Sequence, residues 1–284
     1  MEPQVNMKTK YIFLDIDGTL YSTKLNGTPD SAVRAIDEAR ANGHRVFLCT
    51  GRSLAECSKY LGYKVDGYVF AAGALVYVQD KKWIFNQPFS KEEVLALKKL
   101  IHEYNMGYCA EGLAGAYCDG KGYEFILRYF KGSAANHREN VRNAQENAFY
   151  TEAYEHDDDP IYKICAYDYD WDNFMALKDA LPEGFTLTMT VRDVVWQNHC
   201  GEITNAKITK STGISHVLDY YKAGYQDAVA IGDSGNDIPM IRDCGIGIAM
   251  GNAFEAVKNA ADWVTTDILD DGIYHAFQHI GVIQ

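Results

Sequence analysis

Short apolar strands that end in small, acidic or hydroxyl-bearing residues recur at both ends of this chain, and they leave little choice of architecture. The runs Tyr11 to Leu14, Arg45 to Cys49 and Tyr68 to Phe70 are rich in β-branched and aromatic residues and read as buried parallel strands. Between the first two, Thr28-Pro29 offers an N-cap and first helical position, Val33, Ile36 and Ala39 recur at helical spacing, and Asn42-Gly43 supplies a stop. This predicts a β-α-β unit. The same grammar returns late, with a helix from about Thr209 to Tyr221, a strand Ala228 to Ile231, a helix near Ile238 to Asp243 and a strand Ile246 to Ala249. The two ends are therefore expected to form one α/β sheet.

From about Lys81 to His199 the pattern changes. Apolar alternation in Tyr123 to Tyr129 and Ile161 to Tyr167 predicts strands separated by polar, helix-compatible segments, so an α+β insertion is expected over residues 82–199 within a core of residues 1–81 and 200–284. The acidic run His156 to Asp159, ended by Pro160, reads as a solvated loop. With 39 acidic against 27 basic residues the net charge is -12, and neither part is a basic module. That balance argues against nucleic-acid or membrane-surface partners, which are bound through excess Lys and Arg.

Seven dispersed cysteines without a C-x-x-C pair read as reduced core thiols. Without a signal-like segment or a ~20-residue apolar run, a cytoplasmic location is expected. Oligomeric state is not encoded in any readable motif.

The chemistry sits where strands end, which is where open parallel sheets bind ligands. The first strand runs into Asp15-Ile16-Asp17-Gly18-Thr19; alternation puts both carboxylates on one side, and Gly18 lets the chain turn away. Two close carboxylates favour a cation, or one protonated beside one ionised. Alone, this is also what an acidic turn looks like. The second strand ends in Cys49-Thr50-Gly51-Arg52, a hydroxyl and a close-approach glycine suited to a phosphate oxygen. After Ile231 comes Gly232-Asp233-Ser234-Gly235-Asn236-Asp237, whose hard oxygen donors favour Mg²⁺ over Zn²⁺. The eight histidines form no H-x-x-H pair.

Taken in order, D-x-D-G-T, T-G-R, a lysine and G-D-x-x-N-D resemble the haloacid dehalogenase (HAD) superfamily, and the insertion between the second and third motifs narrows the resemblance to its Cof-type hydrolases. Met250-Gly251-Asn252-Ala253, Ala260-Ala261-Asp262 and Asp271-Gly272 are similar to that family's C-terminal pattern. The resemblance implies a doubly wound, mainly parallel Rossmann-like core with an inserted cap that selects the substrate. It implies Asp15 as nucleophile, Asp17 as acid and base, Thr50, Gly51, Lys210 and Asn236 around the phosphate, and Mg²⁺ held by Asp15, Asp17 through its carbonyl, Asp233 and Asp237. The family register selects Lys210 over Lys207. Ser211 and Ala72 depart from it, standing where Gly and Asn are usual.

The implied activity is a Mg²⁺-dependent phosphatase that hydrolyses a small phosphorylated metabolite, such as a sugar phosphate, through an aspartyl-phosphate. A sugar phosphomutase on the same core is an alternative, as is a catalytically idle metabolite-binding module. In the insertion, Arg128, His137, Arg138, Lys163 and Arg192 read as solvated charges in preference to ligands for an anionic substrate tail.

Overall fold

The computed structural model describes residues 8–80, 82–131, 137–154, 158–168, 170–193 and 198–284. In chain order the strands are β1 (Tyr11–Leu14), β2 (Arg45–Cys49), β3 (Gly67–Phe70), β4 (Leu75–Val78), β5 (Lys82–Asn86), β6 (Gly107–Gly112), β7 (Ala116–Cys118), β8 (Phe149–Thr151), β9 (Ile161–Asp168), β10 (Phe185–Asp193), β11 (Asn198–Asn205), β12 (Ala228–Gly232), β13 (Ile246–Ala249) and β14 (Trp263–Val264). The helices are α1 (Asp30–Ala41), α2 (Lys91–Glu103), α3 (Gly120–Lys131), α4 (His137–Glu146), α5 (Trp171–Ala180), α6 (Lys210–Tyr221), α7 (Ile238–Asp243), α8 (Glu255–Lys258) and α9 (Gly272–His279).

The chain divides into two compact units, the first spanning Met1–Gly51, Tyr63–Asn86 and Thr209–Gln284, the second Arg52–Gly62 and Gln87–Ile208. These breaks differ from the expected 81/82 and 199/200. Pairing explains both shifts: β5 stays with β4 in the first unit, and β11 is paired with β9 and β10 in the second.

The first unit carries an eight-stranded sheet in the order β14-β13-β12-β1-β2-β3-β4-β5. Its pairings are parallel from β14 through β3 and antiparallel beyond, so the expected mainly parallel sheet is present. Ile12, Phe13 and Leu14 of the central β1 are all fully buried, because helices cover both faces of such a sheet and alternation disappears. Asn42 and Gly43 end α1 as expected, with Gly43 at φ 89°. The start of α1 differs by one residue, since Pro29 occupies the N-cap position and Thr28 lies outside it.

The second unit holds a six-stranded sheet, β10-β11-β9-β6-β7-β8, antiparallel except for β7 with β8. One core cluster joins Leu97 and Ile101 of α2 and Phe174 and Leu177 of α5 to Ala110, Ile164 and Ile203 of the sheet. A second gathers Phe125 and Ile126 of α3 with Cys109, Cys118, Cys165 and Cys200. The strand expected at Tyr123 to Tyr129 lies instead within α3. Asp119 is the reason: its carboxylate accepts the Gly122 N–H at 2.7 Å and its carbonyl the Tyr123 N–H at 2.8 Å, which starts a helix that alternation alone concealed.

Cys109 and Cys118, opposite one another on β6 and β7, are joined as a disulfide, so the expected reduced state does not extend to them. The charge reading also needs correcting at Lys163, which is buried between Glu111 (2.8 Å) and Glu202 (2.7 Å). Arg128, His137 and Arg138 are exposed, whereas the Arg192 side chain and residues 156 and 157 of the acidic run lie outside the described set. Asp159, the end of that run, accepts the Leu113 and Ala114 N–H groups and the Tyr117 hydroxyl. No helix among the described residues is long and apolar enough to cross a membrane.

Candidate active site

Adjacent parallel strands deliver the acidic motifs to the same, carboxyl-terminal end of the sheet. β1 lies between β12 and β2, and the Asp15 N–H extends the ladder to the Ile231 carbonyl at 3.0 Å, so Asp15 and the turn after β12 leave the sheet side by side. The chain then folds tightly, with Gly18 at φ 87° and its N–H donating to the Tyr21 carbonyl at 3.0 Å. A Cβ on Gly18 would collide with the Asp233 carboxylate, so both the backbone angle and the space demand glycine. The next residue, Thr19, donates its hydroxyl to Asp233 Oδ1 at 2.8 Å.

Asp237 organises the third motif. Its Oδ2 accepts the N–H groups of Asp233 (3.0 Å) and Ser234 (2.9 Å), and its Oδ1 receives Lys210 Nζ at 2.5 Å. Lys210 is the first residue of α6, behind an N-cap at Thr209 whose hydroxyl and that of Thr212 form a reciprocal capping box. Its ammonium also lies 2.5 Å from Asp15 Oδ1. Lys207 is exposed, so the structure brings Lys210 and not Lys207 to this cluster.

Oxygens of Asp15, Asp233 and Asp237 lie within 4.8 Å of one another. Burial first, and then the neighbouring Asp237, hold the Asp15 carboxyl well above the usual carboxylate range, against the pull of Lys210. Burial likewise pushes Asp233 up to about 7, although the Thr19 hydrogen bond opposes it. For Lys210 burial works downward, but attraction from Asp15 and Asp237 outweighs it and keeps the amine charged. Lys210 thus pairs with two of three clustered carboxylates that repel one another, and a hard divalent cation fits this oxygen set.

The remaining expected residues are placed less directly. Asp17 contributes its charge to both Asp15 and Asp233, but its carboxylate is outside the three-carboxylate group. Thr50, buried at the end of β2, takes its N–H to the Val69 carbonyl at 2.8 Å and accepts the Ala72 N–H at 3.0 Å; Gly51 follows it. Asn236 turns its Oδ1 to the Ser234 hydroxyl at 2.7 Å. The departure at Ala72 has a structural meaning, since Ala71 and Ala72 sit at φ 48° and 54°. Asparagine tolerates that left-handed region better than alanine does. Thr19 was not singled out from sequence, although it closes the D-x-D-G-T motif and binds Asp233.

A family model of haloacid dehalogenase-like hydrolases matches residues 12–277, and the chain belongs to that family. YkrA of Bacillus subtilis (strain 168), which carries a phosphatase name, is 27% identical over 286 residues, covering 98% of this chain and 100% of that protein. A Streptococcus pyogenes protein named for a phosphatase joined to a peptidyl-prolyl cis-trans isomerase is 26% identical over 299 residues, and the chain spans 58% of its length. Among solved structures, the HAD phosphatase BT1666 from Bacteroides thetaiotaomicron has a TM-score of 0.79 at 25% identity, covering 100% of this chain and 99% of that one. The HAD subclass IIB sugar phosphatase BT4131 has a TM-score of 0.77 at 25% identity, covering 97% and 100%.

Proposed function

We propose that the chain is a phosphatase that transfers the phosphoryl group of a small phosphorylated metabolite, of the sugar-phosphate class, first to Asp15 and then to water. The observation that carries this reading is the buried contact of Asp15 with Lys210, beside Asp233 and Asp237 at the strand ends. An Asp15 oxygen attacks phosphorus as the bond to the leaving oxygen breaks, giving an aspartyl-phosphate. Asp17 protonates the departing alkoxide and afterwards accepts a proton from the attacking water. Thr50, Gly51 and Asn236 orient the phosphate oxygens, and Lys210 balances their charge while holding Asp15 in place.

Asp15, Asp233 and Asp237, with the Asp17 carbonyl, would hold Mg²⁺, which supplies charge neutralisation between an anionic nucleophile and an anionic phosphate. The inserted segment, residues 82–199 in the sequence division, selects the leaving group. The sugar-phosphatase name of BT4131 and the near-complete coverage support that substrate class. The test is inorganic phosphate release from sugar, nucleotide and cofactor phosphates, with Mg²⁺ and with EDTA. Mg²⁺-dependent release from sugar phosphates is expected. Isomerised sugar phosphate without phosphate release would replace hydrolysis with mutase chemistry.

A further inference from the structure

The segment Met250-Gly251-Asn252-Ala253 takes no part in the chemistry above, yet its side-chain amide reaches into it. Asn252 Nδ2 donates to the Gly18 carbonyl at 2.8 Å, across 234 positions of sequence. The other end of the same amide, Oδ1, accepts the Ile268 N–H at 2.9 Å. Only one orientation of the amide satisfies both partners, and a carboxylate could serve only the second. Two residues on, the Phe254 N–H donates to the Asp233 carbonyl at 3.2 Å, so one turn after β13 contacts both acidic loops.

Gly18 directly follows Asp17 in the tight turn that leaves β1. On the side where a Cβ would stand it meets the Asp233 carboxylate; its N–H is bound by Tyr21, and its carbonyl by Asn252. We propose that Asn252 is a positioning residue, acting through the Gly18 carbonyl to hold Asp17 where it protonates the leaving group. The inference rests on the phosphatase reading and on the role given there to Asp17. It also accounts for asparagine, and not aspartate, at this position.

The test compares Asn252→Asp, which keeps the acceptor for Ile268 and loses the donor to Gly18, with Asn252→Ala, which loses both. Each is assayed on the best sugar phosphate of the wild-type protein and on p-nitrophenyl phosphate, whose leaving group departs without a proton. Both variants are expected to lose roughly 10- to 100-fold in the single-turnover rate of the first transfer, release of the leaving group as Asp15 is phosphorylated, with the sugar phosphate, and less than about threefold in that same step with p-nitrophenyl phosphate, while the later attack of water, where Asp17 acts as base, slows equally for both. A wild-type rate of the first transfer for Asn252→Asp with the sugar phosphate, or equal losses of that step with both substrates, would overturn the proposal. Wild-type protein inert on both substrates would instead sink the phosphatase reading, and this inference with it.

Discussion

Lys210 Nζ and Asp237 Oδ1 lie 2.5 Å apart, with side-chain exposures of 1% and 0%. A buried lysine is tolerable only when paired, and here the partner is itself fixed by the Asp233 and Ser234 N–H groups. Lys210→Ala should therefore lower phosphate release by about 10²- to 10³-fold, the loss seen when one charge-stabilising donor is removed. Steady-state kinetics of folded variant protein checks this, and an unaltered kcat would remove Lys210 from the reaction.

Asp15→Asn should abolish turnover while the cooperative thermal transition remains. Asparagine keeps the shape and can still accept from Lys210, but its amide is a poor nucleophile. Phosphate release at the wild-type rate would show that a different group attacks.

Cation binding should be visible without any assay of activity. Mg²⁺ at about 100 times its Kd stabilises a folded protein by roughly 2.7 kcal/mol, so the thermal midpoint should rise with Mg²⁺ and fall back on adding EDTA. Asp233→Asn, which removes one of the three clustered carboxylates, should shrink that rise. An identical Mg²⁺ shift in wild type and variant would place the cation elsewhere.

The left-handed turn at Ala71-Ala72 carries a backbone cost that glycine does not share. Ala72→Gly should stabilise the protein by about 1 kcal/mol, less the extra freedom that glycine brings to the unfolded chain. Denaturant midpoints of the two proteins decide it, and a lower midpoint for the glycine variant would contradict the strain.

Acid should destabilise the protein through His44. Its Nδ1 accepts the Lys10 N–H at 3.1 Å, and burial, with Lys10 nearby, holds its pKa below the ordinary 6.5. The unfolded chain then takes up a proton more readily than the folded one, so this contribution is present above about pH 6.5 and is lost as pH falls below it. The thermal midpoint should drop between pH 7.5 and about 5.5, and His44→Gln should make the drop shallower. An equal slope in the variant would assign the effect to other groups.

The parallel half of the core and the acidic motifs at its strand ends were legible in the sequence. Tyr11 to Leu14 and Ile246 to Ala249 coincide with β1 and β13, because a short run without charged or polar side chains, bounded by turn residues, is readily buried as a strand of a parallel sheet. Asp15, Thr50 and Asp233 were legible because each directly follows such a strand, where a local turn places it. The structure decided what local pattern does not contain. Tyr123 to Tyr129 became helix behind Asp119, whose Oδ1 accepts the Tyr108 N–H of β6 as well as that of Gly122, and Lys163 became buried because strand register set it between Glu111 and Glu202. Likewise only the three-dimensional arrangement joins Lys210 to Asp15 and Asn252 to Gly18, since hydrogen bonds spanning 195 and 234 residues depend on how the sheet is wound.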